Sequence, residues 1–184
     1  MAIKVHGIAV SPYTARVLLC LHEKGLDYEL LPVDLASGAH KQHSYLSPFG
    51  LVPALQDGEL IGVGPRGHLD GSGGTTLLWP NGYNHPPNIA NPLHSIAPDE
   101  QVIEAEMNKM GTVLDVYEER LSKSKYLAGE SYSLADLHHI PILVSFMRTA
   151  KADAITSRPH VSAWWDDISS RPATVEVCTA YMKL

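Results

Sequence analysis

Residues 3–34, IKVHGIAVSPYTARVLLCLHEKGLDYELLPVD, read as strand, helix and strand in succession. Residues 3–7 are short, largely apolar and β-friendly. Ser11 and Pro12 then mark a helix start, because a serine oxygen accepts from orphan amides and proline fits the first helical position. Thr14, Val17, Leu18 and Leu21 recur at helical spacing, and Gly25 is placed to stop the helix. Residues 28–33 return to strand. Two strands joined through a helix predict a right-handed crossover and a parallel pair. Ser11 thus stands at a helix N-terminus, where partial positive charge favours anions. A hydroxyl there can donate to a thiolate and lower the pKa of a bound thiol. The plainer alternative makes Ser11 a helix cap and nothing more.

The 184 residues suffice for one large or two small domains with real cores. A formal charge of −6, spread along the chain, argues against a nucleic-acid surface and gives no steering patch for polyanions. No basic leader with an apolar run opens the sequence, and no apolar stretch approaches bilayer length, so no membrane association is expected. Cys20 and Cys178 form neither a disulfide framework nor a metal spacing, which points to a reducing, cytoplasmic setting. Cys20, among leucines on the first helix, reads as a small core residue.

Residues 34–47 are polar and turn-rich, a loop with a short helix. They hold His40, Lys41 and His43; two histidines three apart, with no further ligand clustered beside them, make a poor metal site. The bland reading is a solvated loop. Pro48-Phe49-Gly50-Leu51-Val52-Pro53-Ala54-Leu55 follows, and then Gln56-Asp57-Gly58-Glu59, a hairpin turn by its Asp-Gly.

The texture changes at residues 62–98, GVGPRGHLDGSGGTTLLWPNGYNHPPNIANPLHSIAP. Glycine, proline and asparagine dominate, and neither helical nor strand period persists. GSGGTT lacks the Gly-Lys-Ser/Thr ending of a phosphate loop. So long a structureless loop is foreign to a compact domain. From residue 99 the chain is helical. Asp99 caps a long helix whose inner stripe is Ile103, Met107, Met110, Leu114, Tyr117 and Leu121, its methionines being core. Ser133-Leu134-Ala135-Asp136 is a capping box with Asp in the Glu/Gln place. Leu137, Ile140, Val144 and Met147 give the next inner face, with Pro141 as a kink. His138 and His139 point to different faces and do not share a metal. Pro159 and Pro172 open short helices, and Trp164 and Trp165 between them are packing.

The opening resembles a plant phi-class glutathione transferase, on V-H-G-x-x-x-S-x-x-x-x-R-V with Ser11, Arg16 and Val17 in place. The likeness continues through PVDLASGAHKQHSYLSPFGLVPALQDG, residues 32–58. It resumes in VLDVYEERLSKSKYLAGESYSLADLHHIP and RPHVSAWWDDISSRPA. The resemblance implies an α/β (α+β) protein: a thioredoxin-like glutathione-binding domain over 1–61, the atypical segment 62–98, and an all-helical domain over 99–184. It implies that Ser11, with Pro12 beside it, stabilises the glutathione thiolate. His40 and Lys41 match the pair that contacts the glycine carboxylate, a role that positive charge suits. Pro53 matches a cis proline that turns the main chain of Val52 to pair with the cysteinyl unit. Leu51 stands where the family usually has Gln, and the loss of one such bond weakens binding by about 0.5–1.5 kcal/mol.

By register, Gly64 and Pro65 stand where the family's Glu-Ser pair binds the γ-glutamyl end, and only Arg66 survives of its Phe-Glu-Ser-Arg-Ala-Ile motif. The family's dimerisation helix is also unrecognisable in residues 62–98, so any homodimer is expected to be weakened. A foreign composition between intact flanks is what a reading-frame slip, a mis-spliced exon or a decayed gene produces. The resemblance therefore implies an enzyme that conjugates glutathione, as co-substrate, to a small apolar electrophile in detoxification or stress response, with no metal. A non-catalytic binder or inactive relative is the alternative. A chaperone-like or channel-like role gains nothing from the residues.

Overall fold

A computed structural model of the chain describes residues 2–42, 45, 51–63 and 100–181. The expected cap Asp99, the loop histidine His43 and the candidates Gly64, Pro65 and Arg66 lie outside the described residues. Two compact units emerge. One holds the residues up to Val63 together with the final helix, and the other holds residues 100–171.

The first unit is built on a four-stranded sheet. Its strands are β1 (Ile3–Gly7), β2 (Tyr28–Pro32), β3 (Ala54–Asp57) and β4 (Leu60–Val63), in the order β2-β1-β3-β4. β1 and β2 run parallel, with Ile3 opposite Tyr28 and Gly7 opposite Pro32, as the strand-helix-strand reading requires. β3 runs antiparallel to β1, with His6 opposite Ala54, and β4 antiparallel to β3. Asp57-Gly58 turns the hairpin, with Gly58 at φ +60. That left-handed conformation is open to glycine at little cost.

Helix α1 (Pro12–Glu23) begins with Pro12 in its first turn and gives way to Gly25 at φ +62. It buries Thr14, Ala15, Leu18, Leu19 and Leu21. Each leucine removed from water in this way contributes about 1.5–3 kcal/mol. Two expectations are corrected here: Val17 is half-buried and not part of the inner stripe, and Cys20 is half-buried rather than a core residue. Both project from the flank of the helix, whereas Ala15 and Leu19 share the buried face. At the strand-to-helix junction Thr14 lies so close to Gly7 that a Cβ on the glycine would meet Thr14 Oγ1 at 2.6 Å. Residues 172–181, α7 in chain order (Pro172–Tyr181), pack on α1 within this unit. His22 joins the pieces, its Nε2 lying 2.8 Å from Tyr28 Oη and its Nδ1 3.4 Å from Glu176. Burial, and then a hydrogen bond with Tyr181, push the Tyr28 phenol well above its ordinary pKa.

The second unit is helical, with α2 (Glu100–Leu121), α3 (Leu134–Leu137), α4 (Ile140–Phe146), α5 (Asp153–Thr156) and α6 (Pro159–Ser169). α2 buries Ile103, Met110, Leu114, Tyr117 and Leu121 as expected. Met107 does not join them; Glu106 takes the buried place, 2.6 Å from Lys109 Nζ. The capping box is present as read, Ser133 accepting from the Ala135 amide and Asp136 from the Ser133 amide. The helix after it breaks at His138 and restarts at Ile140. Pro141 therefore kinks nothing: it occupies a first turn, where a missing N–H has no partner to lose. The restart shifts the phase, so Ile140, Leu143 and Phe146 are buried and Val144 and Met147 only half so. Pro159 and Pro172 both open helices.

Candidate functional site

The register of the sheet decides which loops meet. Gly7 at the end of β1 lies opposite Pro32 at the end of β2, and His6 lies opposite Ala54 at the start of β3. Three connections therefore open at one edge of the sheet: residues 8–11 into α1, residues 33–41 after β2, and residues 51–53 before β3. Seven of the candidate residues, Ser11, Pro12, His40, Lys41, Leu51, Val52 and Pro53, lie on these connections or at their ends. The C-terminal ends of parallel strands are where open α/β sheets bind ligands.

Ser11 precedes α1 in extended backbone, φ −74 and ψ 126. Its carbonyl accepts from the Ala15 amide at 2.9 Å, and its own amide donates to Ile8 O at 3.0 Å. The hydroxyl makes no capping bond. Ser11 thus occupies the N-cap position without the side-chain cap bond expected of it. Pro12 removes one orphan N–H from the first turn, and Ser11 is half-buried. The helix N-terminus behind it favours negative charge on a ligand.

His40 and Lys41 end a short 3₁₀ turn, Ala39–Lys41, entered through Gly38 at φ +72. Asp34 organises the approach, its Oδ1 accepting from Ala36 N at 2.9 Å and Ser37 N at 3.2 Å. Hydrogen bonds from Ser37 and Ala36 hold its carboxyl below the ordinary 3.8. Lys41 is exposed. His40 is half-buried, with Nδ1 shut off from solvent and unpartnered among the described residues.

The Val52–Pro53 peptide is cis. Pro53 is buried and Val52 half-buried, and no other backbone group among the described residues engages the Val52 amide or carbonyl. An extended peptide can pair with them as an added strand does. Leu51 beside them is 41% exposed. Thr14, which spacing reads only as a stripe position, also belongs to this neighbourhood, since its Oγ1 accepts from Ile8 N at 3.3 Å. A threonine seven residues after a strand-ending glycine is the signal that was there to be read.

The helical unit has a separate cavity of about 450 Å³, lined by Ile103, Met107, Gly111, Lys151, Ser157 and Arg158 among others. None of the candidate residues lines it. The Arg158 guanidinium is engaged by Asp115 at 2.7 Å and by the carbonyls of Ala154 and Gly111. Among the described residues there is no group of three or more His, Cys, Asp or Glu side chains placed to hold a metal ion. Nor is any described helix long and apolar enough to cross a membrane.

Comparison with known proteins places these features in a family. The glutathione S-transferase N-terminal domain matches residues 10–82, and the glutathione S-transferase C-terminal domain matches residues 78–172. Glutathione S-transferase F13 of Arabidopsis thaliana is 43% identical over 210 residues, covering 96% of this chain and 95% of that protein. That aligned span exceeds the 184 residues of the chain, so the relative carries residues that this chain lacks. The crystal structure of glutathione transferase F7 from Populus trichocarpa superposes with a TM-score of 0.79 at 39% identity, covering 100% of both chains. Glutathione S-transferase I from mais, solved in complex with an atrazine glutathione conjugate, gives a TM-score of 0.82 at 31% identity, covering 100% of this chain and 99% of that one.

Proposed function

The chain belongs to the glutathione S-transferase family, with its relatives in the plant phi class, and we propose that Ser11 is the residue that activates glutathione in it. The reaction of such a transferase joins the thiol sulfur of reduced glutathione to an electrophile. The thiol gives up its proton, and the sulfur lone pair forms the bond to carbon. With an aryl halide, halide departs with its bonding pair. Glutathione enters as co-substrate, and no metal is called for.

The observation that carries the assignment is a serine hydroxyl at a helix N-terminus with no capping bond of its own. Donation from that oxygen, with the helix dipole behind it, stabilises a thiolate over a thiol. Val52 supplies main-chain groups for the cysteinyl unit beside cis-Pro53. His40 and Lys41 receive the glycine carboxylate. Pro12 sets the entry to the helix. Catalysis is then positioning plus a lowered thiol pKa, with no covalent enzyme intermediate.

Gly64 and Pro65 are weak substitutes for a Glu-Ser pair, since proline offers no N–H and neither residue carries a charge. Arg66 is the remnant. We place the electrophile among small apolar compounds, the role in detoxification, the location in the cytoplasm, and the assembly as a weakened homodimer. The domain division follows the same reading, with glutathione held by residues 1–61 and helices from residue 99. Conversion of a chromogenic aryl halide by the purified chain tests the assignment. Ser11→Ala is expected to abolish turnover; an unchanged rate overturns it.

A further inference from the structure

We propose that Thr14 is a positioning residue for Ser11, acting through Ile8; the inference rests on the Ser11 assignment and deepens it. Ile8 is held from both ends. Its amide donates to Thr14 Oγ1 at 3.3 Å, and its carbonyl accepts from the Ser11 amide at 3.0 Å. The threonine hydroxyl and the serine backbone are thus two bonds apart through a single residue of the turn. Thr14 is wholly buried and has no slack, because the Gly7 backbone lies against it: a Cβ at Gly7 would meet Oγ1 at 2.6 Å and Cγ2 at 2.9 Å. Among the described residues the Ser11 hydroxyl makes no cap bond that would aim it, so its direction is inherited from the backbone of this turn.

Removing the threonine oxygen while keeping its shape, as in Thr14→Val, leaves the Ile8 amide without its acceptor. The turn then relaxes, and the serine oxygen swings relative to the bound sulfur. A hydrogen bond weakens steeply with angle, so the thiolate loses stabilisation while the groups that hold the rest of the tripeptide stay in place.

The experiment measures kcat, the KM for glutathione and the pH profile of kcat/KM with a chromogenic aryl halide for the full chain, Thr14→Val, Thr14→Ser, Gly7→Ala and Ser11→Ala. Thr14→Val is expected to lower kcat about tenfold and to move the acid limb of the profile upward by about half a pH unit or more, with KM changed less than about threefold. Thr14→Ser, which keeps the oxygen, restores most of kcat and the original limb. Gly7→Ala, which pushes the threonine away by crowding, reproduces the shifted limb and serves if Thr14→Val does not fold. Equal losses in Thr14→Val and Thr14→Ser would mean that the methyl group matters and the hydroxyl does not, and would overturn the proposal. So would an unshifted limb in Thr14→Val or Gly7→Ala beside an inactive Ser11→Ala. A fully active Ser11→Ala defeats the underlying assignment, and this one with it.

Discussion

Trp164 donates its indole N–H across 2.9 Å to Asp136, a carboxylate wholly buried in the helical unit. The same carboxylate accepts from Leu127 N at 3.0 Å, Ser133 N at 2.9 Å and Ser133 Oγ at 3.0 Å. It therefore ties the loop after α2, the start of α3 and the middle of α6 to one point. Beside it Tyr117 lies 3.0 Å from His139 Nε2, whose Nδ1 faces the Ala135 carbonyl at 2.6 Å. A carbonyl only accepts, so Nδ1 carries the hydrogen and Nε2 accepts from the tyrosine. Burial raises the Tyr117 phenol to about 12, which keeps it a donor throughout the neutral range.

Asp136→Ala strands four donors at once, the Trp164 indole buried and the other three part-buried. Each unsatisfied group costs about 1–3 kcal/mol, partly relieved by water entering the gap. The substitution is expected to destabilise the helical unit by about 3 kcal/mol or more. Urea unfolding followed by tryptophan fluorescence checks this, Trp164 being both reporter and partner. A loss below about 1 kcal/mol would mean that the carboxylate is not the anchor its contacts describe.

Glu118 makes a different prediction, about pH. Projecting from α2, it accepts from the first amides of α6, His160 N at 3.0 Å and Val161 N at 2.9 Å, with His160 Nδ1 at 2.7 Å. Partial burial raises its pKa, but the hydrogen bonds from Val161 and His160 outweigh that and hold it below 4.5. A depressed folded pKa means that stability is fully present above the unfolded value and is lost as pH falls through the folded one. Glu118→Gln is expected to lose about 1 kcal/mol at pH 7, the worth of a helix cap. The gap should narrow at an acid pH below the depressed folded value, where wild type is itself protonated. Urea midpoints at both pH values decide it, and a gap of constant size would assign the effect to shape alone.

The strand-helix-strand opening was legible because each boundary carries its own chemistry: Ser11-Pro12 at the start of α1, Gly25 at its end, Asp57-Gly58 between β3 and β4. The capping box at Ser133 and Asp136 was legible for the same reason. Spacing failed where a neighbour intervened. It read Pro141 as a kink, because a one-dimensional pattern carries no sign of the break at His138. It gave Met107 a core place that Glu106 holds, because a buried carboxylate paired with Lys109 leaves no hydrophobic trace. At the site, residue types marked Ser11, and the resemblance to the phi-class transferases named His40, Lys41, Val52 and Pro53. That they share one edge of the sheet follows from the pairing of Gly7 with Pro32 and His6 with Ala54, which only tertiary structure supplies. Thr14 was read only as a stripe position, because its bond is to the backbone amide of Ile8, which helical spacing does not mark.

The proposed place of Gly64-Pro65 at the family's Glu-Ser pair predicts weak glutathione binding. Charge-assisted bonds are worth about 1.5–3 kcal/mol each, so losing two lowers affinity by about two orders of magnitude or more. Calorimetric titration of the chain beside a phi-class transferase with the intact pair measures the difference directly. Equal affinities would show that other groups hold the γ-glutamyl end.

Leu51 offers the reverse test, a gain. It is 41% exposed and adjoins the Val52 main chain, so replacing it removes no core packing. Leu51→Gln places an amide where the family usually has one, within reach of a tripeptide paired along Val52. One net hydrogen bond contributes about 0.5–1.5 kcal/mol, which corresponds to a fall in Kd of about two- to tenfold. Because the bond would be made equally to bound substrate and transition state, KM for glutathione should fall with kcat little changed. Titration and steady-state kinetics on the single variant measure both quantities. An unchanged Kd would place the tripeptide's backbone elsewhere than along Val52.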